Sequence, residues 1–239
     1  MSRRFEELAY AETPMGELTL RRRVEPTLGV EVHEVRLGEE YLMSSLFTEG
    51  EEELARLGLA ALDAPGLLDV VVGGLGLGYT ARAALADERV GAMLVVDALP
   101  DVIDWHVRGL LPGSEQLTAD PRVRLVEGDF FAMSAGDGYD PGTPGRRFDA
   151  VLLDVDHTPD HRLHPSHGGF YTVDGLTRMA RFLRPGGVFA LWSDEAPDEA
   201  FSAVMAQVLD DVRGHVVDFP NPLTGGRSVN GVYVGLARG

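Results

Sequence analysis

The sequence predicts an α/β fold, a doubly wound and mainly parallel seven-stranded sheet preceded by a small N-terminal β-hairpin region. Three observations carry this. From about residue 66 onward, short apolar runs alternate with helical patterns, the mark of βαβ units. Four glycines, Gly73, Gly74, Gly76 and Gly78, stand within six residues between the first of those runs and the helix after it. The last two apolar runs have only the turn-like PLTGGRS between them, so the final strand pair is expected to be antiparallel.

The elements follow in order. Residues 15–24 (MGELTLRRRV) and 28–37 (LGVEVHEVRL) alternate and are joined by EPT, which predicts a hairpin. Residues 50–62 (GEEELARLGLAAL) have an acidic first turn and apolar spacings of three and four, which predict a helix that Pro65-Gly66 ends. Then come LLDVVV as a strand, YTARAALAD as a helix and MLVVDAL as a strand. PDVIDWHVRGLL reads as a helix with Pro100 in its first turn. VRLVEGD, FDAVLLDVD and GGVFALWSD are further strands, with helices around 171–183 and 197–210, and HVVDFPN and NGVYVGLAR complete the sheet. The division expected is a small hairpin-and-helix unit over 1–65 and a catalytic α/β domain over 66–239.

Composition narrows the function. The chain has 239 residues, no cysteine, and 21 basic residues that are all arginine. Cysteine nucleophiles and cysteine zinc sites are thereby excluded, as are Schiff-base chemistry and a P-loop lysine. A net charge of −17 argues against nucleic acid and suits cationic partners. No apolar run approaches a membrane span, and MSRRFEELAY lacks the apolar centre of a signal peptide, so no membrane partner and a cytoplasmic location are expected.

In doubly wound sheets, ligands bind at the carboxyl ends of the strands. Four such ends carry polar chemistry. Gly74-x-Gly76-x-Gly78 lets the backbone turn sharply and lets a ligand approach the next helix, but it is not the G-x-G-x-x-G of dinucleotide folds. Asp97, ending LVVD, can accept both hydroxyls of a ribose, or merely cap a helix. Asp129 can accept from an adenine amino group with Phe130 near the ring, or merely close a turn. Asp154 is the fourth. Together they describe a site for a nucleoside whose tail is not a pyrophosphate. Trp192-Ser193-Asp194 ends a fifth strand on the same side, whereas Trp105-His106 reads as a helix face packed on the sheet.

This order of motifs resembles the class I methyltransferase fold and, within it, the spermidine synthase (polyamine aminopropyltransferase) family, of which the chain looks like a divergent, shortened member. The resemblance spans roughly residues 15–195. In that family a strand ends in D-S-x-D-P and a loop runs to an F-Y or Y-Y pair. Here Asp154 takes the first acid position, and Phe170-Tyr171 follow. GGLGLG over 73–78 stands where the family has G-G-G-D-G-G, so its acid falls at Gly76; the second acid of D-S-x-D falls at His157, with Asp156 one place off. Where the family has polyamine-binding residues near the N-terminus, this chain has Met43, Ser44 and Glu51 to Glu53.

The resemblance implies transfer of an aminopropyl group from decarboxylated S-adenosylmethionine to a small-molecule amine. Asp154 would be the base, with Gly74, Gly76, Gly78, Asp97, Asp129 and Phe130 on the nucleoside and Asp156, His157 and Tyr171 on the acceptor side. It also implies a homodimer. Two other functions stay open: a small-molecule methyltransferase using intact S-adenosylmethionine, which the glycine at 76 favours, and a nucleoside-binding protein without activity.

His157, His161, His164 and His167 have helical metal-site spacing, but Pro159, Pro165 and Gly168-Gly169 break a helix. The expectation is a loop lying over the site, with His157 reaching the acceptor, and no metal; the alternative is polar filler between a strand and a helix.

Overall fold

The structure, a computed structural model, describes residues 5–239. Residues 1–4, part of the stretch read above for a leader, lie outside it. Four strands open the chain: β1 (Phe5–Thr13), β2 (Gly16–Val24), β3 (Glu31–Leu37) and β4 (Glu40–Ser44). They form an antiparallel meander in chain order. The expected hairpin is its centre, pairing Leu18 with Leu37 through Val24 with Glu31. The two outer strands were not anticipated. FEELAYAET has no face that is fully buried, and EYLMS is only five residues long, so neither leaves a period-two pattern to read.

Helix α1 (Glu49–Ala60) starts with Glu49, Glu51 and Glu52 in its first turn, where the helix dipole favours negative charge. Beyond it lie the seven strands of the large sheet: β5 (Leu68–Gly73), β6 (Val90–Asp97), β7 (Val123–Glu127), β8 (Phe148–Leu153), β9 (Leu183–Ser193), β10 (Leu209–Asn221) and β11 (Gly226–Ala237). Their spatial order is β10-β11-β9-β8-β5-β6-β7. Pairings from β9 through β7 are parallel, and β11 runs antiparallel to both β9 and β10, as its short connection required.

Helices α2 (Tyr79–Leu85), α3 (Pro100–Val107), α4 (Ser114–Thr118), α5 (Phe130–Ala135), α6 (Val173–Ala180) and α7 (Glu199–Met205) connect the strands. α4 and α5 were not read from the sequence, being five and six residues long. Alternate residues of each strand feed two separate cores. Val70 and Val72 point to the layer that holds Leu54, Leu59 and Trp105, while Val71 packs with Val151, Phe170 and Phe189 on the other face. α1 belongs to the first layer. A Cβ on its Gly58 would lie 2.7 Å from the Leu152 side chain, so only glycine lets the helix sit this close to β8.

The chain winds outward from β5 in both directions, to β6 and β7 on one side and to β8 and β9 on the other. That reversal leaves a crevice above the carboxyl end of β5.

Candidate active site

The glycine loop turns sharply at this crevice. Gly74 has φ +94°, and a Cβ there would fall 1.9 Å from the Asp154 carbonyl oxygen. No other residue fits that position without moving the β8 end. The loop is then tied down from two strands. Gly74 N–H donates to Val96 O, and Asp154 N–H donates to Gly73 O, at 2.9 and 2.7 Å. Asp97 accepts from Leu75 N at 2.9 Å through one oxygen and from Leu99 N at 2.8 Å through the other. Each oxygen keeps a lone pair for a ligand hydroxyl. Burial raises the Asp97 carboxyl above the usual carboxylate range, with those backbone amides opposing the shift.

His106 completes the clamp. Its Nε2 lies 2.8 Å from Gly76 O, and its Nδ1 lies 3.2 Å from Ser114 Oγ. Burial lowers its pKa, so the ring is neutral and donates from Nε2. Nothing in the sequence points to this role, since the partner is a backbone carbonyl 30 residues away.

Two cavities open off the crevice. The first, about 300 Å³, is lined by Gly74, Gly76, Val96, Asp97, Leu99, Asp129, Phe130, Phe131, His164 and His167 among others. Its walls are largely apolar and carry three carboxylates, Asp97, Asp129 and, at the wall shared with the second cavity, Asp154. Asp129 does double duty. One oxygen caps α5, accepting from Phe131 N and Ala132 N at 2.9 and 3.2 Å, and its second oxygen makes no hydrogen bond among the described residues. Phe130 lines this cavity but is mostly core, stacked on Tyr139 at 4.7 Å.

The second cavity, about 440 Å³, has a different character. Aromatic rings, Tyr41, Phe47, Tyr79, Trp192 and Phe219, alternate with carboxylates, Glu51, Asp154 and Asp194. Asn230 Nδ2 holds the Asp194 carboxylate at 3.2 Å, and Asp194 N–H donates to His157 O at 2.6 Å. Five residues, Leu42, Met43, Gly76, Asp154 and Val155, line both cavities. Thr80 Oγ1 donates to one oxygen of Asp154 at 2.6 Å. Burial raises the Asp154 carboxyl; Glu51 is raised too, first by burial and then by the Asp154 charge. At Gly76 (φ +47°) a Cβ would lie 2.5 Å from Met43 Sδ, so the methionine occupies the space an acid at 76 would use.

The loop after β8 divides the expected acceptor residues. His157 lines the acid-walled cavity, with His161 stacked on it at 4.9 Å. Asp156 and Tyr171 do not line either cavity, which corrects their acceptor-side placement. Asp156 is fully buried and accepts from Tyr171 Oη at 2.8 Å, from Leu163 N at 2.8 Å and from His167 Nδ1 at 2.8 Å. Three donors converge on one carboxylate because the loop must bury its own polar groups. The physical reason for the misplacement is the irregular turn after β8: Asp156 is buried beneath the loop by its three donors, and its neighbour His157 lines the cavity. His167 meanwhile stacks on Phe131 at 3.9 Å and faces the nucleoside cavity, a side the sequence did not suggest. Among the described residues, no three His, Asp or Glu side chains come together as a metal-ligand set. No helix among them is long and apolar enough to cross a membrane.

No family model matches the chain. It is similar to a polyamine aminopropyltransferase of Pyrobaculum arsenaticum, 27% identical over 175 residues, which cover 70% of this chain and 58% of that protein. The chain thus spans less than two thirds of the length of this relative. Among solved structures, it is similar to a spermidine synthase in complex with the transition-state analogue AdoDATO (TM-score 0.71, 17% identity, 98% of this chain and 74% of that one). The spermidine synthase of Thermotoga maritima gives the same TM-score and identity over 98% and 73%. A probable spermidine synthase of Corynebacterium glutamicum gives 0.61 at 18% identity, over 95% and 79%. The methyltransferase-like fold with a separate antiparallel N-terminal sheet, and the resemblance to the spermidine synthase family, are borne out.

Proposed function

We propose that this chain, a relative of the spermidine synthases in sequence and in fold, is a transferase that alkylates an amine from a sulfonium nucleoside, decarboxylated S-adenosylmethionine. One observation carries the reading: two cavities of opposite character meet at Asp154 and Gly76. A nucleoside in the first, with its ribose at Asp97 and its base between Asp129 and the phenylalanines, would point its sulfonium toward the shared wall. An amine in the second would meet it there.

The chemistry suits those groups. An ammonium has no lone pair, so attack needs a base; a carboxyl raised toward neutral pH is a better one than a surface aspartate. Thr80 occupies one Asp154 oxygen and leaves the other for the amine. The amine proton passes to that oxygen. The nitrogen lone pair forms the bond to carbon, and the carbon–sulfur pair stays on sulfur as a neutral thioether. The sulfonium is a good leaving group, so positioning supplies much of the remaining rate. His157 and the loop over 154–171 would limit water at the shared wall.

Met43 against Gly76 favours a second reading. With no acid in the glycine loop, nothing there selects a donor amine over a carboxylate, which would admit intact S-adenosylmethionine and methyl transfer. Calorimetric titration with both donors and with methylthioadenosine separates the two. Preference for the decarboxylated donor supports aminopropyl transfer, preference for the intact one replaces it, and binding of none by folded protein sinks both. Asp154→Asn should lower turnover by about 10²–10⁴-fold and leave methylthioadenosine affinity unchanged. Unaltered turnover in that variant would remove Asp154 as the base.

A further inference from the structure

The acid-walled cavity holds a carboxylate that the reaction above does not use. Glu51 sits in the first turn of α1, and Asp154 follows β8, yet both line the same 440 Å³ space. Thr80 stands between them: its Oγ1 lies 2.6 Å from Asp154 Oδ2 and 3.3 Å from the Glu51 carbonyl. The first turn of α1 is fixed against the cavity wall. A Cβ on Gly50 would lie 2.4 Å from Trp192 Nε1 and 2.5 Å from Asn230 Oδ1, so the glycine lets the turn press directly on β9 and β11.

No arginine is among the residues lining the cavity, and the chain has no lysine to supply a cation. The titratable groups that face Glu51 are Asp154 across the cavity, Glu49 and Glu52 on its own helix, and more distantly Asp194, His157, Tyr41 and Tyr79. The nearest arginine on α2, Arg82, lies over the Tyr79 ring at 4.4 Å. Glu51 and Asp154 are thus two desolvated carboxylates with no arginine countercharge among the described residues that line the cavity. Such a pair holds a proton between its members at neutral pH and gives it up when a cation arrives.

Resting on the amine-alkylating function proposed above, we infer that Glu51 is a second catalytic carboxylate: with Asp154 it grips the incoming ammonium, and the pair carries the proton that the nitrogen loses. The balance is as follows. Entry of the ammonium displaces the proton held by the pair into solvent. The pair then takes one proton from nitrogen. The freed lone pair attacks carbon, and the carbon–sulfur pair leaves on sulfur. The product is a secondary ammonium beside a singly protonated pair.

The test uses the full chain saturated with methylthioadenosine and 1,4-diaminobutane as probe. Calorimetry in buffers of different ionisation enthalpy counts protons exchanged on binding. Wild type at pH 7.5 should release a substantial fraction of a proton. Glu51→Gln should abolish that release and weaken diamine binding by about tenfold or more, as loss of a charged hydrogen-bond partner does. Where turnover is measurable, its acid limb should move to lower pH, because Asp154 then titrates without a like charge beside it. Glu53→Gln removes the same charge from the same helix outside the cavity, where Glu53 pairs with Arg56, and should behave as wild type. A Glu51→Gln protein with wild-type proton release and diamine affinity overturns the inference while Asp154→Asn still tests the proposed function. Failure of the wild type to bind the diamine at all overturns both.

Discussion

Gly76 is held from two sides. The neutral His106 ring donates to its carbonyl at 2.8 Å, and the Met43 side chain lies where its Cβ would be. The loop that opens the nucleoside cavity is tied down elsewhere by β6 and β8, and at Gly76 by one side-chain hydrogen bond from α3. His106→Phe keeps much of the packing and removes the donor, leaving a buried carbonyl without a partner. The expected cost is about 1–3 kcal/mol in urea unfolding, with weaker methylthioadenosine binding. Unchanged affinity would show that the loop holds its shape unaided. This residue also marks the limit of the sequence reading. Gly74, Asp97, Asp129 and Asp154 were legible because each follows a strand end, a position the apolar runs reveal. His106 was read only as a packed helix face, because its partner is a backbone atom and carries no side-chain signature. Thr80 escaped for a related reason: a threonine in a helix N-terminal turn looks the same whether or not an aspartate waits opposite it.

At the scale of elements, the loop after β8 is the least regular part of the site, and its main polar anchor is Asp156. Tyr171, His167 and Leu163 all donate to Asp156, whose side chain is wholly buried. Burial raises the Tyr171 phenol well above its ordinary value, so it stays a donor at every physiological pH. Asp156→Ala would orphan three donors at once. Limited trypsin digestion should then cut after Arg162, inside the loop, at least tenfold faster than in wild type, because cleavage follows the population of the open form. Equal cutting rates would mean the loop is held by its packing against Phe131 instead. The parallel strands of the large sheet were read to within about three residues, since buried parallel strands leave continuous apolar runs, whereas the exposed first half of β10 was not. The loop was not. Its proline and glycine content says only that it is no helix, and a one-residue step from Asp156 to His157 decides which side chain meets the cavity.

For the whole molecule, the distribution of charge is more informative than its sum. The chain carries 21 arginines against 38 acids, and those arginines pair with acids such as Asp69, Asp87, Asp120 and Asp140 away from the acid-walled cavity. Glu51 and Asp154 are left to face each other. That arrangement trades stability for a cation site. Glu51 has its pKa raised on folding, chiefly by burial and then by Asp154. A group raised in this way contributes its full stability below its unfolded value, about 4.3, and loses it as pH rises through the folded value. Ionised Glu51 therefore weakens the fold on the alkaline side. Glu51→Gln should melt higher than wild type at pH 9, by about 2–4 °C for each ~1 kcal/mol relieved in a chain of this size. The difference should fade toward pH 4.5, where the wild-type carboxyl is protonated in the fold. Added 1,4-diaminobutane should close the gap at pH 9 by stabilising the wild type alone, since binding to the native state raises its melting temperature. A melting difference of the same size at both pH values would mean that Glu51 is solvated in the fold, and the cavity would then lack the desolvated pair on which its affinity for a cation depends.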